Sequence, residues 1–307
     1  MHYLLDIVTL ILSIGALWIG AVWVVDSASR TAQKMGVSDL VIGLTVVALG
    51  TSAPEFAVTI TAAVKGQADI SVGNIVGSNI FNLGFILGGG AIFRAISTSR
   101  KLVFRDGMLL IFASFLLLAF LWDSTLQHWE GAVLIVVLLI YLIYLFIRRE
   151  TIEEEIPRGT FRWYDIPLLI LGLVFIVAGG HFLVDSASSL ARSIGISEWV
   201  IAVTIVAAGT STPEFVTSLV AVIKGKHGLS AGNLIGSDLF NLLGVLGLAA
   251  VIRKMEIAPG AYTEIVLLSA LVITVVIMMR TGWKISRKEG IALVLINLIR
   301  WIINFHQ

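Results

Sequence analysis

Two glutamates each follow a glycine, two hydroxyl residues and a proline in the middle of a long apolar run. Glu55 ends Gly50-Thr51-Ser52-Ala53-Pro54-Glu55, and Glu214 ends Gly209-Thr210-Ser211-Thr212-Pro213-Glu214. Proline denies a helix one backbone donor, and its ring collides with the carbonyl four residues earlier. Glycine loosens the backbone further. A helix breaks or kinks at such a place, leaving carbonyl oxygens near positions 47–51 and 206–210 short of intrahelical partners. A carboxylate about halfway along an apolar span costs on the order of several kcal/mol to bury, so the default reading is functional rather than structural.

A second polar segment accompanies each glutamate: Gly73-Asn74-Ile75-Val76-Gly77-Ser78-Asn79-Ile80-Phe81-Asn82, and Gly232-Asn233-Leu234-Ile235-Gly236-Ser237-Asp238-Leu239-Phe240-Asn241. Ser78 and Asn82 are four apart and share one helical face, as do Ser237 and Asn241. Small polar residues of this kind also serve plain helix–helix packing. Set opposite the glutamates, they offer neutral oxygens. Two carboxylates, the hydroxyls of Thr51, Ser52, Thr210 and Ser211, amide oxygens and freed carbonyls make an all-oxygen set. No sulfur or imidazole is near in sequence. Such a set fits calcium, which takes six to eight oxygens in flexible geometry, better than magnesium or a transition metal.

The rest of the chain must hold these groups inside a bilayer. Of 307 residues 58% are apolar and only 13% charged, and the mean hydropathy is +0.98. That charge is too little to cover a soluble domain. A formal net charge of +1 with no basic stripe excludes a nucleic-acid binder. With no cysteine there is neither a disulfide framework nor a thiolate site. Residues 1–25 lack the basic start of a cleaved signal peptide. The chain reads as an all-α polytopic membrane protein. Ten transmembrane helices are expected, at about 3–29, 38–64, 69–93, 102–122, 128–148, 164–188, 197–223, 229–252, 258–279 and 285–304. Trp122, Trp129, Trp163 and Trp301 read as interfacial anchors.

Both motifs occur twice at a constant offset of 159 positions, Val41 matching Val200 and Ser71 matching Ser230. Between Ser38 and Arg94 roughly half of the positions are identical to their partners. The repeat is five spans long. Five is odd, so the copies are inverted relative to each other, the organisation of a secondary transporter with its site near the midplane. The expected division is 1–148 for the first five-helix repeat, 149–163 for a cytoplasmic loop carrying Glu153, Glu154 and Glu155, and 164–307 for the second repeat. Sixteen of the 21 Lys and Arg residues fall on one side; only Lys65, Arg192, Arg253, Lys254 and Arg300 lie on the other. By the positive-inside rule both termini are extracytoplasmic, in a multi-pass protein of the cell membrane.

The doubled GTS-x-PE and GN-x-x-GS-x-x-FN motifs resemble those of the cation/calcium exchanger family, the sodium/calcium exchangers with their potassium- and proton-coupled relatives. The resemblance covers nearly the whole chain. It implies that Glu55 and Glu214 bind calcium directly, with the backbone oxygens of Thr51 and Thr210 completing the coordination. It also implies that Ser52, Ser78, Ser211, Ser237, Asn82 and Asn241 line neighbouring monovalent-ion sites, and that the first and sixth helices slide past the other eight. The sequence departs from the pattern at two places. Sodium-coupled relatives commonly have aspartate at the position of Asn241, and proton-coupled ones glutamine at Asn82 and Asn241. Asp238 stands where the first repeat has Asn79; it is either a third charge at the ion site or a hydrogen-bonded acid beside it.

The expected function is antiport of Ca2+ against Na+ by alternating access, with Glu55 and Glu214 shared between the ions. A H+/Ca2+ exchanger using the same glutamates is the alternative, followed by a Ca2+-permeable channel. An intramembrane enzyme is disfavoured, since no metalloprotease or nucleophile-elbow motif is present. No cofactor and no obligatory protein partner are called for; the partners are calcium, a monovalent counter-ion and the bilayer. Asp26 and Asp185, which end the first and sixth spans, read as interfacial with a possible part in ion entry, and His181 as packed or interfacial.

Overall fold

The computed structural model describes residues 2–148, 160–195 and 207–305. Long apolar runs become helices because a backbone in lipid must satisfy its own polar groups. The first half contains α1 (His2–Met35), α2 (Asp39–Thr51), α3 (Ala53–Val64), α4 (Ala68–Phe93), α5 (Leu102–Asp123) and α6 (His128–Arg148). The second contains α7 (Asp165–Ser193), α8 (Ala207–Gly209), α9 (Thr212–Ile223), α10 (His227–Ile252), α11 (Pro259–Arg280) and α12 (Arg287–Phe305). Among the described residues seven helices are long and apolar enough to cross a bilayer, or eight if the bent pair α2–α3 counts as one span. The ten expected crossings are thus met only in part. The span expected at 197–223 begins outside the described residues, and α9 alone has 12 residues. The last expected span, α12, is interrupted chemically by Arg287, Lys288, Glu289, Asn297 and Arg300. The acidic loop residues 153–155 also lie outside the described part.

The expected break is present. α2 and α3 meet at an angle of 50°. Their junction is Ser52 (φ −77°, ψ 8°), with Pro54 in the first turn of α3. Ser211, ahead of α9, has nearly the same conformation (φ −85°, ψ 7°). Both sit in the sparsely populated bridge region.

The centre is formed by α4 and α10, whose apolar windows are 72% and 78% buried, against 28% for both α1 and α7. That order follows from composition: α4 and α10 carry the serines, asparagines and glycines that cannot face lipid. Glycine lets α2 and α10 cross closely. A Cβ on Gly232 of α10 would stand 2.6 Å from the Leu40 carbonyl oxygen of α2, and one on Gly43 of α2 would stand 2.7 Å from the Leu229 carbonyl oxygen of α10.

α1 and α7 pack side by side and antiparallel. Asp6 accepts from Ser189 at 2.7 Å, Gly20 meets Gly172, and Arg30 pairs with the buried Asp165 at 2.7 Å. Their apolar faces belong to a hydrophobic cluster separate from the main core. Two short antiparallel ladders tie the turns: β1 (Ile96–Ser97) pairs with β4 (Lys284–Ile285), and β2 (Thr125–Leu126) with β3 (Met255–Glu256). Ile96 faces Ile285, and Leu126 faces Met255, so adding 159 to one member and subtracting it from the other turns one ladder into the other. The tryptophans expected as anchors are exposed at Trp122, Trp129 and Trp163, while Trp301 is half-buried with its ring edge-on to Phe85.

Candidate functional site

The two breaks point their hydroxyls across the molecule. Ser52 Oγ donates to Glu214 Oε1 at 3.2 Å, and Ser211 Oγ donates to Glu55 Oε1 at 3.2 Å. Each half thus holds the carboxylate of the other. Ser237 of α10 adds a second donor to Glu214 Oε1 at 3.3 Å, and Ser78 of α4 stands near Glu55. Both glutamates are fully buried, as are Thr51, Ser211, Ser237, Asn82, Asn241 and Asp238. In each glutamate one oxygen is spoken for while Oε2 has no hydrogen-bond partner among the described residues. A buried, unpaired carboxylate oxygen is costly. Two of them, held in matched settings, are an arrangement that could hold a cation.

Thr51 fastens the first break to α10. Its hydroxyl lies 3.1 Å from Asn233 Oδ1 and 3.3 Å from Ser237 Oγ. The hydroxyl of Thr210 is buried without a partner among the described residues. Beside the glutamates, α4 and α10 exchange a second crossed pair: Asn82 Nδ2 donates to Asp238 Oδ1 at 3.0 Å, and Asn241 Nδ2 donates to Asn79 Oδ1 at 3.0 Å. Asn79 also donates to the Asp238 carbonyl at 3.1 Å. This pair leaves Asn82 Oδ1, Asn241 Oδ1 and Asp238 Oδ2 without partners among the described residues. Asp238 lies within electrostatic reach of Glu214. Among the described residues no three His, Cys, Asp or Glu side chains gather as a metal-binding group; the oxygens hydrogen-bonded to the two glutamates are neutral hydroxyls.

The helix geometry at the asparagines was not foreseen. Wide π-helical turns run over Asn82–Leu87 and Phe240–Val245, the kind of irregularity that re-aims side chains at functional sites. Asn74 and Asn233, not among the candidate site residues read from the sequence, brace the helices around the cluster. Asn74 donates to Thr59 Oγ1 at 3.0 Å, binding α4 to α3, and Asn233 donates to Ser218 Oγ at 3.0 Å, binding α10 to α9. Their signal was in the spacing: Asn74, Ser78 and Asn82 fall on one face at intervals of four, as do Asn233, Ser237 and Asn241. Outside the cluster, Asp26 pairs with Lys224. His181 is exposed rather than packed and lies 3.3 Å from Asp185.

Helices long and apolar enough to span a bilayer, broken at two prolines around a buried oxygen cluster, define a polytopic membrane protein with an interior polar site. A family model described as sodium/calcium exchanger protein matches residues 5–147 and again 165–304. The chain belongs to the sodium/calcium exchanger family. It is 30% identical to the sodium/calcium exchanger MaX1 of Methanosarcina acetivorans over 97% of this chain and 98% of that one. It is 31% identical to the inner membrane protein YrbG of Escherichia coli over 92% of both. Among solved structures, the sodium-calcium exchanger NCX_Mj soaked with 10 mM Na+ and 10 mM Sr2+ superposes with a TM-score of 0.86, at 28% identity, over 99% of this chain and 98% of that one.

Proposed function

We propose that the protein is an antiporter exchanging Ca2+ for Na+ by alternating access, with Glu55 and Glu214 as the carboxylates that both ions use. The observation that carries this reading is the crossed pairing: Ser52 on Glu214 and Ser211 on Glu55, with one free buried oxygen on each glutamate. Two negative charges neutralise one divalent ion, and the hydroxyl and carbonyl oxygens around Thr51, Thr210, Ser52 and Ser211 extend the shell toward the six to eight oxygens that calcium takes. Ser78, Ser237, Asn82, Asn241 and Asp238 furnish the adjoining oxygens for sodium.

The coupling is electrostatic. Two bare carboxylates at the midplane oppose reorientation, whereas either a calcium ion or sodium ions relieve that penalty. Exchange follows, without leak. The architecture in this reading is ten crossings in two inverted five-helix repeats, 1–148 and 164–307, joined by a cytoplasmic loop at 149–163. The antiparallel α1 and α7, the exchangeable β ladders and the doubled family match support it. The positive-inside bias sets both termini outside the cytoplasm of the cell membrane.

Reconstituted vesicles test the reading. Loaded with sodium and diluted into sodium-free buffer with labelled calcium, they accumulate calcium, and collapsing the sodium gradient stops the uptake. Uptake that ignores sodium and follows a pH gradient makes the protein a H+/Ca2+ exchanger. Calcium flux that needs no counter-ion makes it a channel.

A further inference from the structure

The two ends of the molecule are not in the same state, although their residues correspond. Asp26, near the C-terminal end of α1, pairs with Lys224, the residue that caps α9, at 2.5 Å. At the matching positions 159 residues away stand Asp185, near the C-terminal end of α7, and Lys65, which caps α3. That pair is not formed. Asp185 is 62% exposed and lies beside His181, and Lys65 is exposed with no partner among the described residues. Because α1 and α7 run antiparallel, the made pair and the unmade pair lie at opposite ends of the α1–α7 unit.

α1 and α7 are also built to shift together. They are clamped to each other at both ends, by Arg30 with Asp165 and by Ser189 with Asp6, and these clamps are themselves related by the 159-residue offset. The two are among the least buried long helices. Their attachments to the core are therefore where an equilibrium between two arrangements is set.

We infer that Asp26–Lys224 and Asp185–Lys65 are alternating latches, each fastening the α1–α7 unit to the core in one of the two access states. The inference rests on the alternating-access reading above. If corresponding halves exchange conformations, the contact formed at one end in one state must form at the other end in the second. The first end carries an extra fastening: Lys226 pairs with the buried Asp39 at 3.3 Å and donates to Ser29 of α1 at 2.8 Å. The position corresponding to Lys226 is Gln67, which has no charge to offer. The latches are thus unequal, and the state with Asp26–Lys224 closed is the favoured one.

The chain has no cysteine of its own, so engineered pairs report without background. D26C/K224C and K65C/D185C are oxidised in proteoliposomes, and disulfide formation is read by loss of maleimide labelling. Each pair is expected to cross-link singly, to arrest exchange, and to release it on reduction; in the quadruple variant either disulfide excludes the other. K226Q is expected to raise the rate of the K65C/D185C cross-link about fivefold, the scale of one partly exposed ion pair. Asp26→Lys slows exchange, and adding Lys224→Asp restores it. A K65C/D185C pair that never closes, both disulfides in one molecule, or a D26C/K224C cross-link that leaves exchange intact overturns the inference. Wild-type vesicles without exchange would overturn the antiport reading instead, while mutual exclusion of the disulfides, read by labelling alone, would still decide the latch.

Discussion

Ser52→Ala and Ser211→Ala remove the two hydrogen bonds by which each half of the molecule holds the other's glutamate, both at 3.2 Å. A hydrogen bond to a charged group contributes about 1.5–3 kcal/mol. A separation of 3.2 Å is long for a hydroxyl donor, Glu214 keeps a second serine in Ser237, and Ser78 stands near Glu55. The lower end of that range applies. About 1.5 kcal/mol is close to tenfold in a dissociation constant, so either variant should weaken calcium binding about tenfold. The effects should be matched, since the two contacts correspond by repeat. The double variant should lose about a hundredfold if the two carboxylates are positioned independently. Equilibrium binding of labelled calcium to purified protein measures this, with the calcium dependence of initial uptake rates as the companion assay. Ser269→Ala is the control: its hydroxyl bonds the Ile265 carbonyl within α11, and its removal should leave calcium affinity unchanged. Wild-type affinity in either serine variant, or a loss confined to one of them, would refute the idea that the crossed pairs shape the ion site.

The remaining predictions concern charge, packing and the departure at Asp238. Calcium at a hundredfold excess over its Kd should add about 2.7 kcal/mol of stability, seen as a rise in Tm; Glu214→Gln and Glu55→Gln should abolish both that rise and calcium uptake while the proteins still fold. Gly232→Ala places a methyl group 2.6 Å from the Leu40 carbonyl oxygen; overpacking of this kind costs about 1–3 kcal/mol, and thermal unfolding in detergent should show a lowered Tm. Asp238→Asn makes the crossed asparagine pair chemically symmetric and removes a buried carboxyl group. It should change the sodium dependence of exchange at least several-fold more than the affinity for calcium, and equal changes in both would place Asp238 in the calcium shell instead.

Much of the chemistry was legible one residue at a time. Pro54 and Pro213 have no N–H to give, so the breaks beside Glu55 and Glu214 followed from covalent structure. The repeat was visible because identical side chains recur at one offset. The ends of α1 were not: the first span was expected to stop near residue 29, yet the helix runs to Met35. In the folded protein Arg30 meets Asp165 and Ser29 meets Asp39 at 2.8 Å, so the polar turn stays helical and packed.

Sequence by itself determined which groups could bind a cation, where two helices must break, and that each half carries the same apparatus, because these follow from side-chain chemistry and spacing along one strand of chain. Tertiary structure alone decided which serine faces which glutamate, that Asp238 meets Asn82 rather than standing free, and that Asp26 has its lysine while Asp185 has not. Those are contacts between residues more than a hundred positions apart. They depend on how two helical halves pack against each other, and nothing local in the chain encodes a distance across that interface.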